Sequence, residues 1–323
     1  MNVIMNTFAP VLIPTLNRYE HFKRCVESLS ACTHAEKTDF FIFLDYPLKD
    51  AHWEGYELIK AYLPNIKGFK TVNVIEREKN YGAVENIFKS MEYVFDKYDR
   101  LIFSEDDNEF SPNFLDYINK GLEKFENDPN IVAICGYNYP IVMPKNYIHN
   151  YYYYEAFSAW GFGAWKNKPI KEFYNPDEII GLLTNKKFIK KSIQYYGLAQ
   201  LFSLLIAVNR KVVKYGDGAI TINLLKENRF CVFPTVTKLR NHGHDGSGVN
   251  CGIVKDNTFI KQRIDIYFEF SYSKSVPIFD RKIQYRLRKY FGLTLKGNLT
   301  FIIKYLIFRM KYSCRVALIR FYG

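Results

Sequence analysis

From Arg281 to Gly323 the chain has no Asp or Glu, while eleven Lys and Arg residues fall in the same stretch. The residues before it hold 34 basic against 33 acidic side chains, so the formal net charge of +12 belongs to the tail. A basic surface spread over the body, as nucleic-acid binding would need, is excluded, and no RNA-recognition, zinc-finger or helix-turn-helix signature accompanies the tail. Cysteine is sparse: six residues, at 25, 32, 135, 231, 251 and 314, none in CxxC spacing. That pattern indicates neither a zinc cage nor a disulfide framework. Long apolar runs are missing too. The longest uncharged run of the tail, Gly297 to Ile303, is far short of the roughly 18 apolar residues of a membrane-spanning helix. The opening residues show no charged-then-apolar export segment with a cleavage site, and the cytoplasm is the expected compartment. There is no Gly-Lys-Ser/Thr phosphate loop, no internal repeat and no low-complexity segment. His242-Gly-His244 is not a zinc spacing.

What is present is enough apolar material for a large core: 48% of residues are hydrophobic and 17% aromatic. Short apolar runs alternate with segments of helical period. Ala9 to Pro14 reads as a strand, followed by the turn Thr15 to Arg18 and a helix whose apolar positions are Phe22, Val26 and Leu29. Phe40 to Leu44 is a second strand ending at Asp45, and Thr71 to Ile75 a third. It leads through Arg77, Asn80 and Gly82 into a helix from Val84 to Phe95. Leu101 to Phe103 is a fourth strand, and Ile131 to Cys135 another. Strands alternating with helices predict right-handed crossovers and a mainly parallel α/β sheet. Downstream, Ser158 to Trp165 reads as tight turns between bulky rings, permitted by Gly161 and Gly163. A polar linker rich in Lys and Asn then leads to a helix around Leu198 to Val208.

Three consecutive acids, Glu105, Asp106 and Asp107, stand where the fourth strand runs out. Carboxylates at the carboxyl end of an α/β strand face the crevice where ligands bind in such folds. Grouped acids repel unless a cation neutralises them, and oxygen ligands suit Mg²⁺ or Mn²⁺ held jointly with diphosphate oxygens. The competing reading makes the triplet a simple helix cap before Ser111 and Pro112.

The order of these motifs resembles a GT-A-fold glycosyltransferase. They are Pro14, Thr15, Asn17 and Arg18 after strand one, Asp45 after strand two, Asn80 and Gly82 before a helix, and the acids after strand four. In particular it is similar to family 2-like bacterial sugar transferases. The Glu-Asp-Asp form before Ser-Pro-Asn-Phe also resembles inverting N-acetylglucosaminyltransferases of N-glycan synthesis. The resemblance covers roughly residues 9 to 250. It implies a nucleotide-diphosphate sugar donor held by the Pro14 to Arg18 loop, with Asp45 on the base and Arg18 near the diphosphate. Asp107 would bind the metal, Asp106 the ribose or sugar, and Glu105 would order the loop. Arg77, Asn80 and Gly82 would complete the donor site, Trp160 would form a sugar platform, and His242 would be a second metal ligand. Asp217 occupies the place of the catalytic base, with Glu155 and Asp245 as alternatives.

Each residue also has an ordinary reading: Asp45, Asn80 and Gly82 as turn residues, Arg77 as a solvated charge, Asp217 as a helix cap, Trp160 and Trp165 as core. The Gly243 to Gly248 loop is expected to close over the diphosphate. The expected domains are a transferase domain over 1–255 and a basic, aromatic helical extension over 256–323. Its acid-free mixture of cations with Phe, Tyr, Leu and Ile points to an anionic membrane surface at the inner face, the alternative being helices packed on the domain. On that reading a chain ending near Pro277 stays soluble and active on a water-soluble acceptor analogue while losing anionic-vesicle binding. The implied acceptor is a glycan or lipid-linked sugar of surface polysaccharide synthesis. Competing functions are a non-catalytic carbohydrate- or membrane-binding protein on the same scaffold and a sugar nucleotidyltransferase.

Overall fold

In a computed structural model the chain is described over residues 8–321, apart from 170, 172, 249–251, 255–257, 275, 276 and 278 and the side chains of 313–321. It divides into two compact units. The first takes the chain up to Pro140, then Tyr147–Pro169 and Phe230–Ile278; the second takes Ile141–Asn146, Ile170–Arg229 and the chain from Phe279 onward. The expected boundary at 255/256 lies outside the described residues. Of the expected extension, the helices Arg281–Phe291 and Leu295–Phe321 share a unit with residues 170 to 229, and the helix Thr258–Lys261 lies in the first unit.

In chain order the first unit contributes β1 (Val11–Thr15), α1 (Tyr19–Ser30), β2 (Asp39–Leu44), α2 (Trp53–Tyr62), β3 (Thr71–Glu76) and α3 (Gly82–Phe95). Then come β4 (Arg100–Ser104), β5 (Asn108–Phe110), α4 (Phe114–Lys124), β6 (Ile131–Cys135), β7 (Tyr151–Tyr154) and β8 (Gly161–Trp165). The second unit follows with β9 (Phe173–Tyr174), α5 (Pro176–Thr184), α6 (Lys186–Tyr196), α7 (Ala199–Arg210), β10 (Lys214–Tyr215) and α8 (Asp217–Glu227). The first unit resumes with β11 (Phe230–Pro234), β12 (Leu239–Asn241) and α9 (Thr258–Lys261). The second ends with α10 (Arg281–Phe291) and α11 (Leu295–Phe321).

Eight strands form the main sheet in the order β3-β2-β1-β4-β8-β6-β11-β7. β3, β2, β1 and β4 run parallel, and β11 pairs parallel with β6, so the sheet is mainly parallel as the alternating pattern predicts. β2 is buried along its whole length, as a strand covered on both faces must be. Each fully buried Phe or Leu there contributes about 1.5–3 kcal/mol. β3 is the edge strand, and none of its residues is fully buried. On α1, Phe22, Cys25, Val26 and Leu29 are the buried positions.

Two segments differ from the sequence reading. The aromatic-glycine run is not a series of turns: Gly161 to Trp165 is β8, antiparallel between β4 and β6 in the middle of the sheet. Its glycines make room. A Cβ on Gly163 would lie 2.5 Å from Ile118 of α4, and one on Gly161 would lie 2.6 Å from Leu239. The Lys- and Asn-rich linker is two helices, α5 and α6. Asn175 and Glu178 form a reciprocal capping box at the start of α5, and Asn185 caps α6 through the Phe188 N–H.

Candidate active site

β1 has β2 on one side and β4 on the other. The chain fills the sheet outward from β1 to β3, then crosses to the other side with β4. This is a topological switch point, and the crevice beyond the carboxyl ends of the strands there is where open α/β sheets bind ligands. The loop after β1 and the acids after β4 therefore meet. Arg18 places Nη1 2.8 Å from an Asp107 carboxylate oxygen and pairs through Nη2 with Asp106. Thr15 Oγ1 donates to the other oxygen of Asp106 at 2.7 Å. Both carboxylates are buried. Burial opposes the Arg18 charge, but the two carboxylates outweigh it and hold the guanidinium pKa above its ordinary value. For Asp107 burial is the largest influence and pushes its carboxyl up, with Arg18 pulling it down.

The other wall comes from β12, which pairs antiparallel with β5. That pairing sets Asn241 beside the acids: its Nδ2 donates to Asp107 Oδ1 at 2.7 Å, and its Oδ1 accepts from the Gly243 N–H at 3.0 Å. Gly243 is required by space, because a Cβ there would fall 2.1 Å from Asp107 Oδ2. Gly243 stands out in the sequence only as the start of the glycine-rich loop, and Asn241 carries no predicted role; the strand pairing brings both to Asp107.

The two histidines face different partners. His242, the expected metal ligand, turns Nε2 onto Glu109 Oε2 at 2.8 Å and holds the Glu109 carboxyl below its usual range. His244 is within electrostatic reach of Asp107; burial lowers its pKa and so favours the neutral ring, with Asp107 opposing. Its Nε2 is buried and has no hydrogen-bond partner among the described residues. The ring stacks on Phe259 of α9 at 4.3 Å and lies 5.6 Å from Trp160. Trp160 also meets Tyr137 edge-on at 4.4 Å. Trp165 is core: its Nε1 donates to the Leu122 carbonyl.

Among the described residues no three His, Cys, Asp or Glu side chains already form a metal cage. The donor set nevertheless fits a hard divalent cation bound together with a diphosphate. Such an ion takes one or two carboxylates and leaves its other positions to phosphate and water, and a neutral imidazole with an unsatisfied buried nitrogen is a ligand of the right kind.

The remaining predicted donor residues are placed otherwise. Asp45 is 3% exposed, and its carboxylate accepts from the N–H groups of Tyr46, Tyr81 and Gly82, each at 2.9 Å, and from Asn80 Nδ2 at 3.3 Å. Those four bonds fill the acceptor capacity of a carboxylate and fasten the start of α3 to the end of β2. Asn80 also donates to the Tyr46 carbonyl, and Gly82 has φ +71°. Arg77 reaches Asn86 and Ser90 on α3 and lies over the Phe43 and Tyr81 rings, so it braces α3. Pro14 is within β1. The Asn17 backbone lies against α2, where a Cβ on Gly55 would fall 1.9 Å from the Asn17 carbonyl oxygen. The Glu105 carbonyl accepts from Ser104 Oγ. Glu155 is buried, and Asp245 is tied to His21 and Ser247. Asp217 belongs to the second unit, as the first residue of α8 after the cap Gly216.

A mainly parallel α/β sheet with acids and an arginine converging at its switch point defines the GT-A class of fold. The model of glycosyl transferase family 2 matches residues 11–186, more than half of the chain, and the chain belongs to that family. No curated protein matches it. Among solved structures it is similar to TarS of S. aureus (13% identity, 48% of this chain and 28% of that one, TM-score 0.33). It is also similar to the mannosyltransferase PcManGT from Pyrobaculum calidifontis in complex with GDP-Man and Mn²⁺ (10%, 68% of each, 0.36). GalNAc-T7 with UDP, GalNAc and Mn²⁺ is a further match (12%, 71% and 43%, 0.40). The chain thus spans about a quarter of TarS and under half of GalNAc-T7.

Proposed function

We propose that this chain is a metal-dependent, inverting hexosyltransferase that moves a sugar from a nucleotide-diphosphate donor to a glycan or lipid-linked acceptor of surface polysaccharide. The observation that carries the reading is the Arg18 guanidinium lying across Asp106 and Asp107 at the switch point. Two buried carboxylates held together by one cation are groups that would hold a divalent ion bound with a diphosphate. Arg18 then turns its planar donor fork onto phosphate oxygens, the geometry for which a guanidinium is suited. Asp107 and His244 would hold the metal, and Asp106, steadied by Thr15, would take the ribose or sugar hydroxyls. The metal supplies charge neutralisation of the departing diphosphate. The acceptor oxygen attacks the anomeric carbon, the bond from that carbon to the diphosphate breaks, and the acceptor proton passes to a carboxylate. We assign that base role to Asp217. The acceptor is met at the cytoplasmic face of the membrane, which the basic tail approaches.

The test is donor binding. UDP-, GDP- and dTDP-sugars are titrated with Mn²⁺ against the wild type and Asp107→Asn. At a hundred times Kd one donor stabilises the wild type by about 2.7 kcal/mol, and the variant shows no Mn²⁺-supported shift. Absence of any shift across the panel, with no release of sugar from any donor, overturns the proposal.

A further inference from the structure

Among its described residues the α11 helix has two apolar faces, and one of them packs into the fold. Phe301 and Phe308 are buried and Tyr305 half-buried, all on one side. Phe301 meets Phe202 of α7, and Tyr305 Oη donates to the Leu183 carbonyl of α5 at 2.8 Å. At 3.6 residues per turn the opposite side carries Leu299, Ile302, Ile303, Leu306, Ile307 and Met310. These are exposed: Ile303 by 61%, Leu306 by 58% and Met310 by 68%. From Leu299 to Met310 the strip runs about 16 Å along the helix. A contiguous exposed apolar strip of this kind marks an interaction surface.

The charges around the strip say what covers it. Lys304 and Lys311 lie toward one rim and Arg309 toward the other, all exposed, and no acid occurs anywhere in α10 or α11. The preceding helix α10 adds Arg281, Lys282, Arg288 and Lys289, also exposed. A protein partner would need an apolar groove with an acidic rim. An anionic lipid surface supplies both properties over any length, with headgroup charge above and acyl chains below. A second copy of this helix would set cation against cation. Among the described residues no single helix is long and apolar enough to cross a membrane, and the bent pair Arg281–Phe291 and Leu295–Tyr312, broken by 80°, passes that test only jointly.

We infer that α11 lies in the plane of an anionic membrane surface, its Leu299 to Met310 strip entering the headgroup boundary while Phe301, Tyr305 and Phe308 remain in the protein. This deepens the membrane reading of the proposed function and is independent of the chemistry at Asp107. Long-range attraction to anionic lipid brings the tail in, and the buried strip retains it.

The experiment uses the full chain and vesicles of equimolar phosphatidylglycerol and phosphatidylcholine, with pure phosphatidylcholine as control. The wild type sediments with the anionic vesicles at low salt and not with the neutral ones. The double substitution Ile303→Gln and Leu306→Gln leaves the charge and the buried face alone, so circular dichroism is unchanged while apparent affinity falls about tenfold or more. Release of sugar from the donor without vesicles stays at the wild-type level in this variant, which separates the membrane inference from the transferase reading. Wild-type protein that ignores anionic vesicles at low salt overturns the inference, as does undiminished binding of the double variant. So does a concentration-dependent doubling of mass that the substitutions abolish, since the occupant is then a second copy.

Discussion

At the scale of single residues, the two histidines offer the sharpest test. Their sequence separation is two, yet one ring pairs with Glu109 and the other keeps a nitrogen with no partner among the described residues, within electrostatic reach of Asp107. His244→Ala should weaken Mn²⁺ binding by about tenfold or more, read by the electron paramagnetic resonance of free Mn²⁺ in the presence of donor. His242→Ala should leave it within about twofold, and the reverse ranking restores His242 to the metal. Asp217 is tested by kinetics. Asp217→Asn should lower turnover by about a hundredfold or more, the usual scale of a general base, with donor affinity unchanged. Asp217 is the first helical residue and Gly216 is the cap, so a purely helical role involves only the loss of an acid in the first turn, about 0.3–1 kcal/mol. Wild-type turnover in this variant ends the assignment.

At the scale of elements, legibility followed how each element is stabilised. β1, β2 and β4 were readable because a parallel strand covered on both faces must be continuously apolar. The acids after β4 and Arg18 after β1 were readable because the crossover rule puts such loops in one crevice. β8 was not, because glycine carries the same letter whether it turns the chain or admits a neighbour. Asp45 is read in the sequence either as a donor contact or as a turn residue, and in the structure its carboxylate receives the start of α3, a partnership 36 and 37 residues away that no local pattern encodes. The helices α5 and α6 had a local signal in Asn175 and Glu178 that was outweighed by the polar composition around them. Close approach predicts a specific cost. Gly163→Val places its branched side chain where Ile118 and Leu122 already pack. Overpacking of that kind costs about 1–3 kcal/mol, and at about 2–4 °C per kcal/mol for a domain of this size the melting temperature should fall measurably. An unchanged melting temperature would show that α4 can shift away from β8.

At the scale of the whole molecule, the tail has the largest consequence. Its composition set membrane contact against packing as alternatives, but a helix has more than one face, and the described residues show packing directly. Ile283 and Leu287 of α10 and Phe301 and Phe308 of α11 are each no more than 3% exposed. Phe291 lies 5.0 Å from Tyr196 of α6, and Arg286 donates to the Val142 carbonyl, both within the second unit. Four buried large apolar side chains contribute about 6–12 kcal/mol at about 1.5–3 kcal/mol each, an upper estimate because the unfolded chain also buries surface. That is comparable with the whole stability of a typical domain, about 5–15 kcal/mol. A chain ending at Pro277 should therefore not remain folded throughout, whereas the sequence expectation is that it stays soluble and active. It should lose helical signal belonging to α5, α6 and α7, and proteases should cut first between Ile170 and Arg229, while the sheet around β1 and β4 keeps its protection. A truncated chain with an intact Ile170–Arg229 segment and full helical signal would show instead that the tail adds nothing to the fold.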